Sequence, residues 1–481
     1  MVRLKYKWVA LSVTTVGTLM AGIDARIVIV GLPTIARELG ADAESVIWVS
    51  QAYLLASTIG LLLIGRVTDL IGRVKIYNYG FVLFTIGSAF ASLSISPAYL
   101  IASRIVQGTG SAMIITNSAA ILTDATPRKE LGTILGINQI AFRIGSISGL
   151  TLSGIIIAVA DWRALFYINI PIGIFGTIWA HKRLREVSTR DTASKMDWRG
   201  FFVFTSGLTM TLLAITFLGY GSSDLIAGFG LLVLGAVFLI IFVGAERNIK
   251  APLLDLQLFK IREFAGGTFA QLLNALAWSG IIISLSFYLQ IIYGDSALQA
   301  GLSILPLEAT YLIFGPLSGK LSDKYGSRRF ATLGLILSST GFFLLAAIAT
   351  PTTNFTEIAI VFALMGAGNG MFVSPNISSI MASVPAHRRG VASGFRVTLF
   401  NVGLTASSGI AVLLITLSIP YGAFSALLQS FNPLSASQIV RDQFVSGFRL
   451  VAIVLAIVNT IAIAPSLMIS SKPRQTQPEE V

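Results

Sequence analysis

The 481-residue sequence contains no cysteine, so disulfides, thiolate nucleophiles and cysteine-bound metals are excluded, and the redox compartment leaves no trace. Histidine is nearly absent too. His181 and His387 both fall in basic stretches between apolar runs, so neither a metal site nor histidine-based catalysis is expected. Charge is scarce: Asp, Glu, Lys and Arg make up 12% of the chain, against roughly a quarter in soluble domains. There is no G-x-x-x-x-G-K-[ST] phosphate loop and no polar stretch large enough for an ATPase domain. The glycine-rich Gly366–Gly370 lies inside an apolar run, where small residues serve helix packing. Without a clustered nucleophile and base, no enzyme and no cofactor are expected.

Apolar length is what the chain has. Hydrophobic residues make up 54% and the mean hydropathy is +0.80. Nearly every apolar run reaches the roughly 20 residues that cross a bilayer as a helix. Fourteen spans are predicted, an even number that puts both termini on one side. The formal charge of +12 does not point to nucleic acid, because the basic residues are dispersed among short loops. Of 34 Lys and Arg, 26 fall in the tails and in loops on the terminal side. That bias makes the termini cytoplasmic in a multi-pass protein of the cell membrane. The basic N-terminus is followed by an apolar run to about Val30 that contains Asp24 and Arg26, which reads as a retained first span rather than a cleaved leader.

The chain repeats itself. Gly65–Lys75 (GRVTDLIGRVK) recurs as Gly319–Arg329 (GKLSDKYGSRR), 254 positions on. Gly132, Gly136 and Gly145 recur as Gly390, Gly394 and Gly403, and Gln107–Gly110 aligns with Met365–Gly368, both at an offset of 258. Spans 1–6 therefore correspond to spans 9–14, with spans 7 and 8 inserted. The expected division is 1–190 as an N-terminal six-helix bundle, 191–250 as two inserted helices and 251–481 as a C-terminal six-helix bundle. The polar outer stretch 419–443 reads as a loop or short surface helix.

Ionisable residues inside spans are costly and mark function by default. They are Asp24, Arg26, Arg104, Arg143, Glu308 and Arg396. Asp24 in span 1 and Arg104 in span 4 fall at comparable depth in the outer half of the membrane, so a pair is geometrically possible. A buried carboxylate beside an arginine can load and release a proton as the arginine moves; a static ion pair is the alternative. The repeat places Phe362 opposite Arg104 in register, so the second half does without that charge. Glu308 follows Pro306 in span 10 and is a second protonatable site, a cavity residue that binds a cationic group, or a cap for the broken backbone. Arg143 lies near mid-depth in span 5 and is expected to face the cavity. Arg26 is a weaker cavity candidate, close enough to the surface to snorkel, and Arg396 is expected to snorkel. Trp48, Gln51 and Tyr53 in span 2 and Asn274, Trp278, Tyr288 and Gln290 in span 9 could line a pocket, though aromatics near span ends also anchor at the interface. Gly145, Gly149 and Ser153 form a small-residue stripe that allows close helix packing. In the repeated loop, Asp69 can accept from the first amides of span 3 or pair with a basic neighbour, while Gly65 and Gly72 permit close approach and a tight turn.

These motifs resemble, over nearly the whole chain, the major facilitator superfamily, and within it the fourteen-span drug:proton antiporter branch. Gly65, Asp69, Gly72 and Arg73, with Gly319, Asp323, Gly326 and Arg328, resemble the family's loop signature. Arg104, Gln107, Gly108 and Gly110 resemble its fourth-span signature, and Ile23-Asp24 with Leu32-Pro33 its first. Asp161-Trp162-Arg163 followed by Asn169–Gly173 is typical of the branch. Gly136, Gly145, Gly149 and Gly154 match the fifth-span antiporter signature, with Leu150 where proline is usual, Ser153 at one paired glycine, and Arg26 where the first-span signature has Thr. The resemblance implies an all-α membrane fold of two six-helix bundles plus two extra helices, with alternating access. It makes the repeated loops a latch that holds one conformation and releases in another. It implies proton-coupled export of amphipathic or lipophilic small molecules, with Asp24, Arg104 and Glu308 in coupling and the proton gradient as energy source. The expected partners are substrate, protons and lipid bilayer, with no nucleic acid, and the protein is expected to be a monomer. Three rivals remain: a transporter of an anionic or neutral metabolite in the same fold, a lipid-handling protein, and a non-transporting membrane sensor.

Overall fold

The structure is a computed structural model that describes residues 2–127, 130–187, 197–219, 225–246, 256–385, 389–430 and 438–471. Among these, every regular element is helical. In chain order they are α1 (Val2–Leu39), α2 (Ala43–Ile71), α3 (Arg73–Ser92), α4 (Pro97–Ala125), α5 (Leu131–Val159), α6 (Ala164–Tyr167), α7 (Asn169–Arg183), α8 (Trp198–Gly219) and α9 (Leu225–Glu246). A 3-10 turn at Leu256–Lys260 then precedes α10 (Arg262–Ile292), α11 (Ala297–Ser303), α12 (Leu305–Tyr325), α13 (Ser327–Ile348), α14 (Phe355–Ser383), α15 (Arg389–Thr416), α16 (Tyr421–Ser430), α17 (Gln438–Ile461) and α18 (Ile463–Ser466).

Thirteen helical stretches among the described residues are long and apolar enough to cross a membrane. The 20-residue α3 is long enough but less apolar, because Arg73, Lys75 and Asn78 dilute its first turns; with it the spans number fourteen. Helix starts follow the local sequence. The side chain of Asp42 accepts the Ser45 amide to open α2. Ser96 does the same for Tyr99 at the head of α4, with Pro97 next, a position where proline's missing amide costs nothing. Gly72 (φ 115°) and Gly326 (φ 90°) are the second glycines of the two signature loops. Each ends one helix and opens the next in a conformation that L side chains rarely adopt.

The chain divides into two compact units. The first holds residues 1–253, 286–302 and 420–436; the second holds 254–285, 303–419 and 437–481. In the first, α1 lies along α5 and α4 against both α2 and α3. The α1–α5 seam is backbone on backbone. A Cβ on Gly145 would stand 2.4 Å from the Leu19 carbonyl oxygen, and one on Gly149 would stand 2.5 Å from that of Ile23. Gly154 meets Leu298 of α11 just as closely, whereas Gly136 has open space around it and takes no part in this packing. α8 and α9 pair with each other, with α8 touching α2, and α9 leaves Ile226, Val233 and Ile240 largely exposed, as suits a lipid-facing helix. In the second unit, α14 packs between α12 and α13, and α17 lies against α13 and α15.

The outer stretch 419–443 contains α16, and 431–437 lie outside the described residues. Within the first unit, Ser425 Oγ accepts the Ala43 amide and Tyr421 Oη accepts the Glu44 amide, each at 3.2 Å. The helix thus satisfies two amides of the first turn of α2 that would otherwise lack partners.

The seam makes a contrast testable. Gly149→Val should lower the thermal unfolding midpoint of purified protein, at a cost of about 1–3 kcal/mol for overpacking. Gly136→Ala should leave it unchanged or raise it, since removing a mid-helix glycine stabilises by about 1 kcal/mol. Equal effects of the two would contradict the seam.

Candidate functional site

Four helices of the first unit converge on one carboxylate. Asp24 is the only acid in the apolar body of α1. Arg104 and Gln107 stand three residues apart on α4, hence on one face. Ser88 comes from α3, and Asn169 opens α7. The helices approach closely because glycines stand at the crossings: Gly87 lies against the Gln107 backbone and Gly108 against the Tyr53 carbonyl.

Asp24 is 0% exposed and Arg104 1%. Arg104 Nη1 donates to Asp24 Oδ2 at 2.6 Å. Gln107 Nε2 and Asn169 Nδ2 both donate to Oδ1, at 3.0 and 2.9 Å. The guanidinium is equally occupied: Nε donates to the Val49 carbonyl at 3.1 Å and Nη1 also reaches Gln107 Oε1 at 2.7 Å. Its face stacks 4.2 Å from the centroid of the Tyr53 ring, a favourable cation–π contact. The Tyr53 hydroxyl donates in turn to Ser111 Oγ at 2.8 Å, and Gln107 Nε2 reaches Ser88 Oγ at 2.7 Å. Every member is buried. A desolvated ion pair is tolerated only with such complete hydrogen bonding. The arrangement holds one unit of negative charge in a dry place, balanced by one guanidinium.

The other candidate residues fall elsewhere. Tyr53 is a platform for Arg104 and is buried, as is Gln51. Arg26 and Arg143 are partly exposed. Glu308 belongs to the second unit, in the first turn of α12 and 5% exposed, where a carboxylate suits the helix dipole. Asn274 donates to Asn459 Oδ1 at 3.0 Å, and Trp278 packs its ring 5.5 Å from Phe342, so both are engaged in helix packing within the second unit. Gln290 donates to the Val30 carbonyl at 3.2 Å. Arg396, expected to snorkel, instead stays inside: it is 9% exposed and its Nη1 donates to Gln271 Oε1 at 3.3 Å.

In the first signature loop, Arg73 Nη1 donates to Asp124 Oδ1 at 2.5 Å. The Arg73 and Val74 amides that open α3 donate to Glu186 Oε1 and Oε2, both at 3.1 Å. The Asp69 side chain, expected to take such amides, lies outside the described residues. Around Gly65 there is open space, while Gly319 faces Ser374 Oγ. In the second loop, Arg328 donates through its amide to the Ser470 carbonyl and through Nε to that of Ile469, and Asp323 is exposed. Sequence reasoning missed Ser88, Asp124 and Glu186 outright, and named Gln107 and Asn169 only as parts of motifs.

A double-mutant cycle tests the energetics of the pair. Arg104→Met alone should cost about 3–5 kcal/mol, because it leaves an uncompensated buried carboxylate. Combining it with Asp24→Asn, which keeps an acceptor for Gln107 and Asn169, should recover most of the loss in thermal midpoint. Additive losses would mean that the two side chains do not share one site.

The chain has relatives. The Major Facilitator Superfamily profile matches residues 14–251 and 267–480. The chain is 31% identical over 402 residues to the riboflavin transporter RibZ of Clostridioides difficile, covering 83% of this chain and 86% of that one. It is 31% identical over 404 residues to the multidrug resistance protein Stp of Mycobacterium tuberculosis, covering 83% and 74%. Among solved structures, a bacterial homolog of the human lysosomal transporter Spinster, inward-facing and unoccupied, matches with a TM-score of 0.64 at 16% identity over 96% of both chains. The fold is therefore the transporter fold, and neither the relatives nor the site describe an enzyme. The chain belongs to the Major Facilitator Superfamily and is a multi-pass membrane transporter of small molecules.

Proposed function

We propose that the protein is a proton-coupled exporter of amphipathic or lipophilic small molecules, working by alternating access in the cell membrane with both termini in the cytoplasm. The observation that carries this reading is the Asp24–Arg104 pair at 2.6 Å, sealed from solvent, with Gln107 bonded to both members and Asn169 donating to Asp24. As a pair it is neutral. A proton added to Asp24 while Arg104 stays in place leaves a buried positive charge without a counter-charge, at a cost of several kcal/mol. Protonation and withdrawal of Arg104 are therefore linked events, and movement of Arg104 breaks its bond to the α2 backbone at Val49. Such linkage lets a proton gradient bias one conformation over another. That the second half has buried Phe362 at the matching place supports a functional rather than a structural need, since a six-helix half packs without the ion pair. The names of two relatives, one a multidrug resistance protein and one a riboflavin transporter, fit an amphipathic cargo. The basic residues gathered in the terminal-side loops support the orientation.

A second reading, transport of an anionic or neutral metabolite, is favoured by one feature: Arg396 lies buried in a span with no carboxylate among the described residues bonded to it.

The experiment is substrate-induced proton release from purified protein, read with a pH-sensitive dye. Riboflavin and a lipophilic cationic dye are the probes, and Asp24→Asn and Arg104→Ala the variants. Wild type should release protons on addition of a transported probe, and both variants should lose that release. Normal proton exchange in both variants would remove the coupling role from the pair.

A further inference from the structure

We infer that Arg396 forms an anion-receiving site within the second unit, suited to the carboxylate of an organic molecule. The inference rests on the transport reading only for the idea that this anion is cargo. Arg396 sits on α15 facing α10, and 91% of its surface is hidden. Its one side-chain partner among the described residues is the neutral Gln271, at a long 3.3 Å. Its Nε is buried and bonds to nothing. No acid among the described residues forms an ion pair with it. A buried cation with a neutral partner and an idle, buried Nε–H is expensive, and such a group is explained best by a ligand that completes it. Thr268, one turn before Gln271 on α10 and so on the same face, is also buried with its hydroxyl unpartnered. Asn376 of α14, which donates to the Gly267 carbonyl beside Thr268 at 3.0 Å, brings a third helix to the place.

The internal repeat shows that this arrangement departs from its counterpart. At the offset of 258, Arg396 corresponds to Asn138 and Asn376 to Ser118. In the first unit those two residues close on themselves. Thr18 and Ser118 both donate to Asn138 Oδ1 at 3.2 Å, and Thr18 and Ser118 hydroxyls lie 3.1 Å apart. That cluster is neutral and satisfied. The matching positions in the second unit carry a cation whose donors are open. A guanidinium offers parallel N–H donors that match a carboxylate or another oxyanion, and the Thr268 hydroxyl can supply one more.

The test uses the full chain in detergent at fixed ionic strength, with sodium benzoate, neutral benzamide and inorganic phosphate as probes and the thermal unfolding midpoint as readout. Benzoate should raise the midpoint saturably, benzamide should not, and Arg396→Gln should lose the response. Phosphate at equal concentration separates a general oxyanion site, which raises the midpoint too, from one selective for organic carboxylates. Should Arg396→Gln fail to fold, Thr268→Val keeps the arginine and should weaken the benzoate response roughly tenfold, the loss of one charge-assisted hydrogen bond. Equal responses to benzoate and benzamide, or an unchanged benzoate response in these variants, would overturn the site. Because the readout is equilibrium binding, a benzoate response without proton release would retire the coupling reading and leave this site standing.

Discussion

An ionised side chain away from water must find both an opposite charge and a full set of hydrogen bonds, or the fold loses several kcal/mol. Most of the first unit can be read as the solution to that demand for one residue. Asp24 sits on an otherwise apolar helix, and α4, α3 and α7 each deliver a donor or a supporting acceptor to its network. The donors are of two kinds. Arg104 brings charge, while Gln107 and Asn169 bring neutral N–H groups that stay useful whether or not the charge is balanced. A carboxylate so held has one charged partner and two neutral ones.

Position at this precision depends on the helices touching backbone to backbone. The α1–α5 seam has no side chain at Gly145 and Gly149, so α1 cannot drift along α5 without carbonyl oxygens meeting Cα atoms. Gly87 and Gly108 do the same for α3, α4 and α2 around Gln107 and Tyr53. Packing of this kind gives the site rigidity without a large apolar driving force, which lipid does not supply between helices. The small residues and the charged network are thus parts of one design: the first sets the separations at which the second is satisfied.

Much of this was legible in the sequence because it follows from counting. Fourteen spans, the internal repeat, and the comparable depths of Asp24 and Arg104 all come from run lengths and register. What was illegible depends on neighbours. Ser88 and Asn169 are ordinary polar residues until α3 and α7 are set beside α1. Glu186 caps α3 from 113 residues away in sequence, and no local signal points to it. Arg396 was read as a snorkelling residue because it lies near a helix end, but nearness to an end says nothing of what covers the flank. Here Gln271 of α10 bonds it inside the unit. Gly136 shares its motif with Gly145 and Gly149 yet faces open space, although α1 meets α5 two residues on, at Asn138.

The repeat carries a further lesson about how a duplicated fold acquires direction. Two halves with the same helices and the same glycine spacings begin with equivalent polar positions. In this chain they are charged differently: Asp24 and Arg104 match Ile282 and Phe362 in the second half, and the neutral Asn138 of α5 matches Arg396 in α15. Each half therefore keeps its buried charge at a place where the other is neutral. Because a buried charge is costly at either place, neither substitution drifts in unopposed; each had to be matched by partners already present or by a molecule that visits. The first half holds its partners permanently within reach. In the second half, the open donors of Arg396 leave that match to a visitor, so a single ancestral packing plan yields one site that is closed and one that waits.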